Sequence, residues 1–189
     1  PRRGQDVEGS ITITLEEAHR GATRSVALQT STPDARGAVS RSTRTYDVRI
    51  PAGTTDGSVI RLSGQGAPGA AGGEDGDVRL RVHVAPHPTF RLHGHDLETT
   101  VNIAPWEAAL GARVDAQTLD GPVTLTIPKG SQSGQKLRLR GQGMRIRAAD
   151  ARGDLYVELR IVIPPSPTPD ELNLFEQLKD TSTFNPRNL

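Results

Sequence analysis

Gly64, Gly66 and Gly69 in "GQGAPG" fit the spacing G-x-G-x-x-G, which in dinucleotide-binding folds lets a helix N-terminus receive a pyrophosphate. That chemistry needs a strand before the glycines and a helix after them. Pro68 and the run "GAPGAAGGEDG" forbid the helix, and a second copy of the phrase, "GQGMRI", lacks the third glycine, so a plain turn is expected. Histidines are the next candidates. His83 and His87 are four apart, and "HGHD" sets His93, His95 and Asp96 side by side, but a strand-to-loop spacing of four does not put two imidazoles on one face and no fourth ligand is evident. Exposed loop histidines are the expectation, with no metal and no other cofactor. The carboxylates are scattered at strand ends without a Ser–His–Asp order, so no catalytic set is named and an enzyme is not expected. One charge run stands out: Lys129, Lys136, Arg138, Arg140, Arg145 and Arg147 occur with no acid among them. Such a stretch suits contact with phosphate. A solvated strand face with basic turns, lacking interleaved aromatics, is the plainer reading.

The elements that carry these residues are repeated. Sliding the sequence against itself by 77 residues aligns residues 50–88 with 127–165 and gives thirteen identities in thirty-nine positions, where composition alone would give roughly three. "RLSGQG" and "RLRGQG" are part of that match, and most shared residues are turn formers, which makes the phrase the corner of a repeated unit. Upstream the register becomes 90, matching Asp6/Asp96, Glu8/Glu98, Ile13/Ile103, Glu17/Glu107, Ala18/Ala108 and Gly21/Gly111. The first copy therefore holds thirteen extra residues between Gly21 and Ile50, expected as an elaborated loop. Residues 4–87 and 88–164 are the two copies, and 165–189 form a tail.

Within each copy apolar residues alternate with polar ones, the mark of half-buried strands. "VEGSITITL" puts Ile11, Ile13 and Leu15 on one face, and "LETTVNIAP" does the same with Val101 and Ile103. Short helical turns follow, "LEEAHRG" and "PWEAALG", each closed by a glycine suited to left-handed geometry. Further strands are expected in "RSVAL", "TYDVRI", "SVIRLSG", "DVRLRVHV", "VTLTIP", "KLRLRG" and "DLYVELRIVI". The fold class is all-β: two tandem small antiparallel β-sandwich domains of the same type, each with a short helix, plus a C-terminal amphipathic helix. Thr168 and Glu171 frame that helix as a capping box with Pro169 in its first turn. Its stripe of Leu172 and Phe175, extended by Leu174 or Leu178, needs cover from a second subunit or from its own domain. In "ATRSVALQT", Val26 and Leu28 alternate with polar residues beside the strand of Ile11 and Ile13. That face is either sandwich core or an apolar groove at an open sheet edge, fit for an extended peptide.

Composition narrows the partners. In 189 residues there are 20 Gly and 14 Pro, with 34% hydrophobic and 3% aromatic residues, a profile of many short elements. A net charge of +1 supplies no global pull toward nucleic acid or anionic membrane. The absence of cysteine excludes disulfides, and no apolar stretch is long enough to span a membrane. A cytoplasmic protein with no membrane partner is expected. The start at "PRRGQD", without methionine, suggests a fragment.

The long repeated phrases, from "IPAGTTDGSVIRLSGQG" through "GDLYVELRIVIPP" to "STFNPR", resemble the C-terminal substrate-binding region of the DnaJ family of J-domain co-chaperones over essentially the whole chain. The resemblance implies two β-sandwiches and a C-terminal dimerisation segment, here carrying Leu172, Phe175, Leu178 and Phe184, in a homodimer that holds unfolded polypeptide for a DnaK-type ATPase chaperone. Residues 29–44 match the place of a zinc region but contain no cysteine, as in the zinc-free branch. "APHPTF" is no substitute for the His-Pro-Asp motif of a J-domain. By position, Ile11, Ile13, Val26 and Leu28, with Phe90 nearby, would line the client groove, and Arg24 would meet the acidic tail of the partner chaperone. A DNA-binding relative in that branch implies the alternative, nucleoid-associated binding of curved DNA through Lys136, Arg138, Arg140, Arg145 and Arg147.

Overall fold

The computed structural model describes residues 1–33, 39–147 and 149–189, so residues 34–38 of the stretch 29–44 lie outside the described residues. In chain order the first copy contains β1 (Val7–Ile13), α1 (Leu15–Arg20), β2 (Ala22–Pro33), β3 (Val39–Ile50), β4 (Val59–Leu62) and β5 (Val78–Val84). The second contains β6 (Arg91–His93), β7 (Asp96–Ile103), α2 (Pro105–Leu110), β8 (Ala112–Thr118), β9 (Gly121–Ile127), β10 (Lys136–Leu139) and β11 (Leu155–Ile161). Helix α3 (Pro169–Thr181) and a short 3₁₀ turn (Pro186–Asn188) follow.

The duplication is visible in the topology. One sheet runs β1-β5-β4 and its counterpart runs β7-β11-β10, while the hairpins β2-β3 and β8-β9 form the facing layers. Alternation places one side of each strand in the core: Val78, Leu80 and Val82 of β5 and Leu155, Val157 and Leu159 of β11 are fully buried. The sandwiches are mixed rather than antiparallel, because β1 pairs with β5, and β7 with β11, in parallel. Alternation specifies which face of a strand is buried but not the direction of its neighbour.

Among the described residues most of the insertion extends strands rather than looping out: the first hairpin has twelve residues in each strand, against seven in each strand of the second. Gly21 and Gly111 end the two short helices with φ of 81° and 78° and ψ of 156° and 154°. That is a glycine-favoured extended region rather than the left-handed helical one.

The repeated phrase is a structural corner. Arg61 Nε donates to Asp77 Oδ2 at 2.7 Å and the Gly64 amide to Asp77 Oδ1 at 2.9 Å. In the second copy Arg138 Nε and the Gly141 amide bind Asp154 with the same two distances. Asp77 N–H in turn donates to Asp6, and Asp154 N–H to Asp96. The glycine amides, helped by the arginines, hold both carboxyls below the usual carboxylate range.

Candidate peptide groove and basic surface

Among the described residues strand β1 pairs only with β5 and strand β2 only with β3, so each keeps one edge outside any named ladder. Such an edge presents backbone N–H and C=O groups able to take another strand. The two edges meet where Leu28 leans over Gly9: a Cβ on Gly9 would be 3.0 Å from Leu28 Cδ2 and 3.1 Å from Leu80 Cδ2. Glycine is what lets Leu28 come so close. Val26 and Leu28 share one face of β2, are half-buried, and pack against the core. Ile11 lies at the core's rim, 7% exposed, while Ile13 at 1% is inside it. Phe90 is buried elsewhere, lining a cavity of about 430 Å³ at the joint between the copies with Leu15, Val84, Pro86, His87 and Leu92. Val26 and Leu28 thus stand half-buried on β2 next to β1, with Ile11 at the core's rim, and Phe90 is set apart from them at the joint.

Arg24 points to its own chain. Its Nε is 2.8 Å from Glu17 Oε1 and its Nη2 donates to Oε2 at 3.1 Å. Glu17 is also the capping residue of α1, accepting the Thr14 amide. The Thr14 amide first, then Arg24, keep its carboxyl below the usual range.

The second copy has a different edge. Strand β6 pairs with the start of β7, Arg91 opposite Glu98 and Leu92 opposite Leu97. At the position of Gly9 stands Thr99, 7% exposed, whose hydroxyl donates to the Thr89 carbonyl at 3.0 Å. Ala116 and Thr118, in the places of Val26 and Leu28, are buried. Strand β6 was absent from the expected elements because three residues between turns carry no readable period.

The basic stretch divides. Lys136 Nζ is 3.0 Å from Glu98 Oε1, and Arg138 belongs to the Asp154 corner. Among the described residues Arg140, Arg145 and Arg147 have no carboxylate ion-pair partner. The histidines are not all exposed: His19 is 2% exposed, and His87 donates from Nε2 to Glu16 at 2.8 Å while its Nδ1 accepts the Thr89 and Phe90 amides. In the tail, Glu171 N–H donates to Thr168 Oγ1 and Thr168 N–H to Glu171 Oε2. No residue of α3 is buried, and Leu172, Leu178 and Phe184 are each more than half exposed, with Phe175 half-buried. Among the described residues no helix is long and apolar enough to cross a membrane.

Residues 7–164 match the family described as DnaJ C terminal domain. The chain is 48% identical over 187 residues to a "Curved DNA-binding protein" of Pseudomonas putida, covering 98% of this chain and 58% of that protein. It is 44% identical to proteins of the same name from Coxiella burnetii and from Pseudomonas syringae pv. tomato, covering 98% of the chain and 59% of each. The chain thus spans just under three fifths of the length of these relatives.

Proposed function

The chain belongs to the DnaJ C-terminal domain family, a co-chaperone and not an enzyme family, and from that premise we propose that it binds exposed apolar segments of unfolded polypeptide by strand addition between β1 and β2. The observation that carries this reading is the pair of unpaired edges at Gly9 and Leu28, where the second copy has Thr99 bonded to the Thr89 carbonyl just after the three residues that β6 covers. An extended segment would take backbone hydrogen bonds from the edges and seat apolar side chains against Val26, Leu28 and Ile11. Each aliphatic group so buried contributes about 1.5–3 kcal/mol before ordering costs, which gives weak and reversible capture. Reversibility suits delivery to a DnaK-type chaperone, whose acidic tail would compete with Glu17 for Arg24.

In this reading residues 4–87 are the client-binding domain, 88–164 the supporting domain, and 165–189 the dimerisation segment. The uncovered stripe of α3 supports a homodimer formed through Leu172, Phe175, Leu178 and Phe184. Fluorescence anisotropy of a labelled, extended apolar peptide tests the groove. Binding is expected for the chain as it stands and weakened at least about 10-fold by Val26→Glu, with the fold kept by circular dichroism; unchanged binding by the variant would remove the groove from the account.

A second reading is supported by the name of the relatives and by the unpaired arginines: binding of duplex DNA, with nucleoid association. It predicts steep salt dependence, where apolar peptide capture changes little with salt.

A further inference from the structure

The joint between the copies is held by a buried histidine. His19, at the end of α1, donates from Nε2 toward the Asp120 carboxylate, 3.1 Å from each oxygen, and its Nδ1 accepts the Arg145 amide at 3.3 Å. Arg20 Nη2 donates to the Leu119 carbonyl at 2.9 Å, and Arg152 also pairs with Asp120. Burial pushes the Asp120 carboxyl up, but the bonds from His19 and Arg152 outweigh it and leave it below its usual range. These contacts set the turn at Arg145–Arg147 of the second copy beside the last residue of α1 and the end of β3 in the first.

Between them is a cleft of about 890 Å³. Arg20, Arg49, Arg145 and Arg147 line it, against one carboxylate, Asp150. Among the described residues none of Arg49, Arg145 and Arg147 has a carboxylate ion-pair partner, whereas Lys136 and Arg138 are both held by one. In a chain whose net charge is only +1, four guanidinium groups gathered in one concavity focus a local positive potential. Guanidinium forks match phosphate oxygens in pairs. Among the described residues no aromatic side chain lines the cleft, so it offers phosphate contact without a platform for stacking bases.

We infer that this cleft is a phosphate-backbone site for duplex nucleic acid, contacted chiefly through Arg49, Arg145 and Arg147 and indifferent to base sequence. The inference rests on the nucleic-acid reading above and relocates its site from the strand carrying Lys136 and Arg138 to the joint, where residues of both copies meet the ligand.

A fluorescein-labelled mixed-sequence duplex titrated with the full chain tests it. With about four phosphate contacts, affinity falls on the order of 100-fold between about 50 and 200 mM salt. Arg49→Ala/Arg145→Ala/Arg147→Ala is expected to weaken binding at low salt at least about 10-fold and to flatten the salt slope by about three units, with an unchanged melting temperature. Lys136→Ala/Arg138→Ala is the competing arm. Loss in that variant with binding kept in the cleft variant would overturn the cleft and leave the nucleic-acid reading standing. No binding by the unsubstituted chain would overturn both. Displacement of the duplex by poly-glutamate at matched charge, with direct binding of labelled poly-glutamate that the cleft substitutions abolish, would make the cleft an acidic-polypeptide site and sink the inference.

Discussion

The two copies share a sheet order, a helix position and an Arg–Asp–Gly corner with matching distances, yet they differ at the start of the same edge. In the first, β1 lies open, Gly9 makes room, and Leu28 and Val26 stand half-buried beside it. In the second, β6 pairs with the start of β7, Thr99 ties to the Thr89 carbonyl, Ala116 lies in the core and Thr118 is buried at the hairpin turn. A three-residue strand and a few substitutions, rather than a change of fold, separate an uncovered edge from one covered over its first residues. Exposed edges invite pairing with other chains, and along β1 that invitation runs the whole strand, whereas β6 covers the first three residues of β7.

The sharpest break of this comparison is a carboxylate placed at the same position in each copy. Ala116→Glu puts a charge where the side chain is fully buried and is expected to cost about 3 kcal/mol or more of stability, read by thermal denaturation. Val26→Glu, half-buried at the groove, is expected to cost less than about 1 kcal/mol of stability yet to weaken apolar-peptide binding at least about 10-fold. Equal destabilisation by the two would erase the distinction between the copies. Gly9→Thr imports the second copy's residue: its Cβ, 3.0 Å from Leu28 Cδ2, pushes that side chain and is expected to weaken peptide binding roughly 3- to 10-fold in the same titration. Thr99→Val removes the hydroxyl bonded to the Thr89 carbonyl, for a loss of about 1 kcal/mol and no change in peptide affinity.

Acid tests what the copies share. Asp77 and Asp154 both titrate below the ordinary 3.8, so their contribution to stability is present above that value and is lost as pH falls through it toward the depressed values. The melting temperature is expected to be level above about pH 5 and to drop below about pH 4, and Asp77→Asn/Asp154→Asn to flatten that drop.

Much of this was legible in the residues. Self-alignment exposed the duplication, the offset between its two registers counted the insertion, and the glycines identified "RLSGQG" as a corner rather than a nucleotide loop. Alternation put Val26 and Leu28 on one face, but period two cannot say whether that face meets core or solvent, and Ile13 on the neighbouring strand went fully inside. Parallel pairing of β1 with β5 and the clasp of His19 on Asp120, 101 residues away, depend on the global path of the chain and leave no local trace. Arg20 and Arg49 escaped notice for the same reason: each is isolated in sequence, and only the joint brings them to Arg145 and Arg147.

The central claim is that one edge accepts a strand and its counterpart does not, and amide hydrogen exchange with and without a saturating apolar peptide reads both edges in one sample. The account predicts new protection in residues 7–13 and 22–29 and none in residues 96–103 and 112–118. Protection gained at β7 and β8, or peptide bound with no amide of β1 or β2 protected, would contradict it.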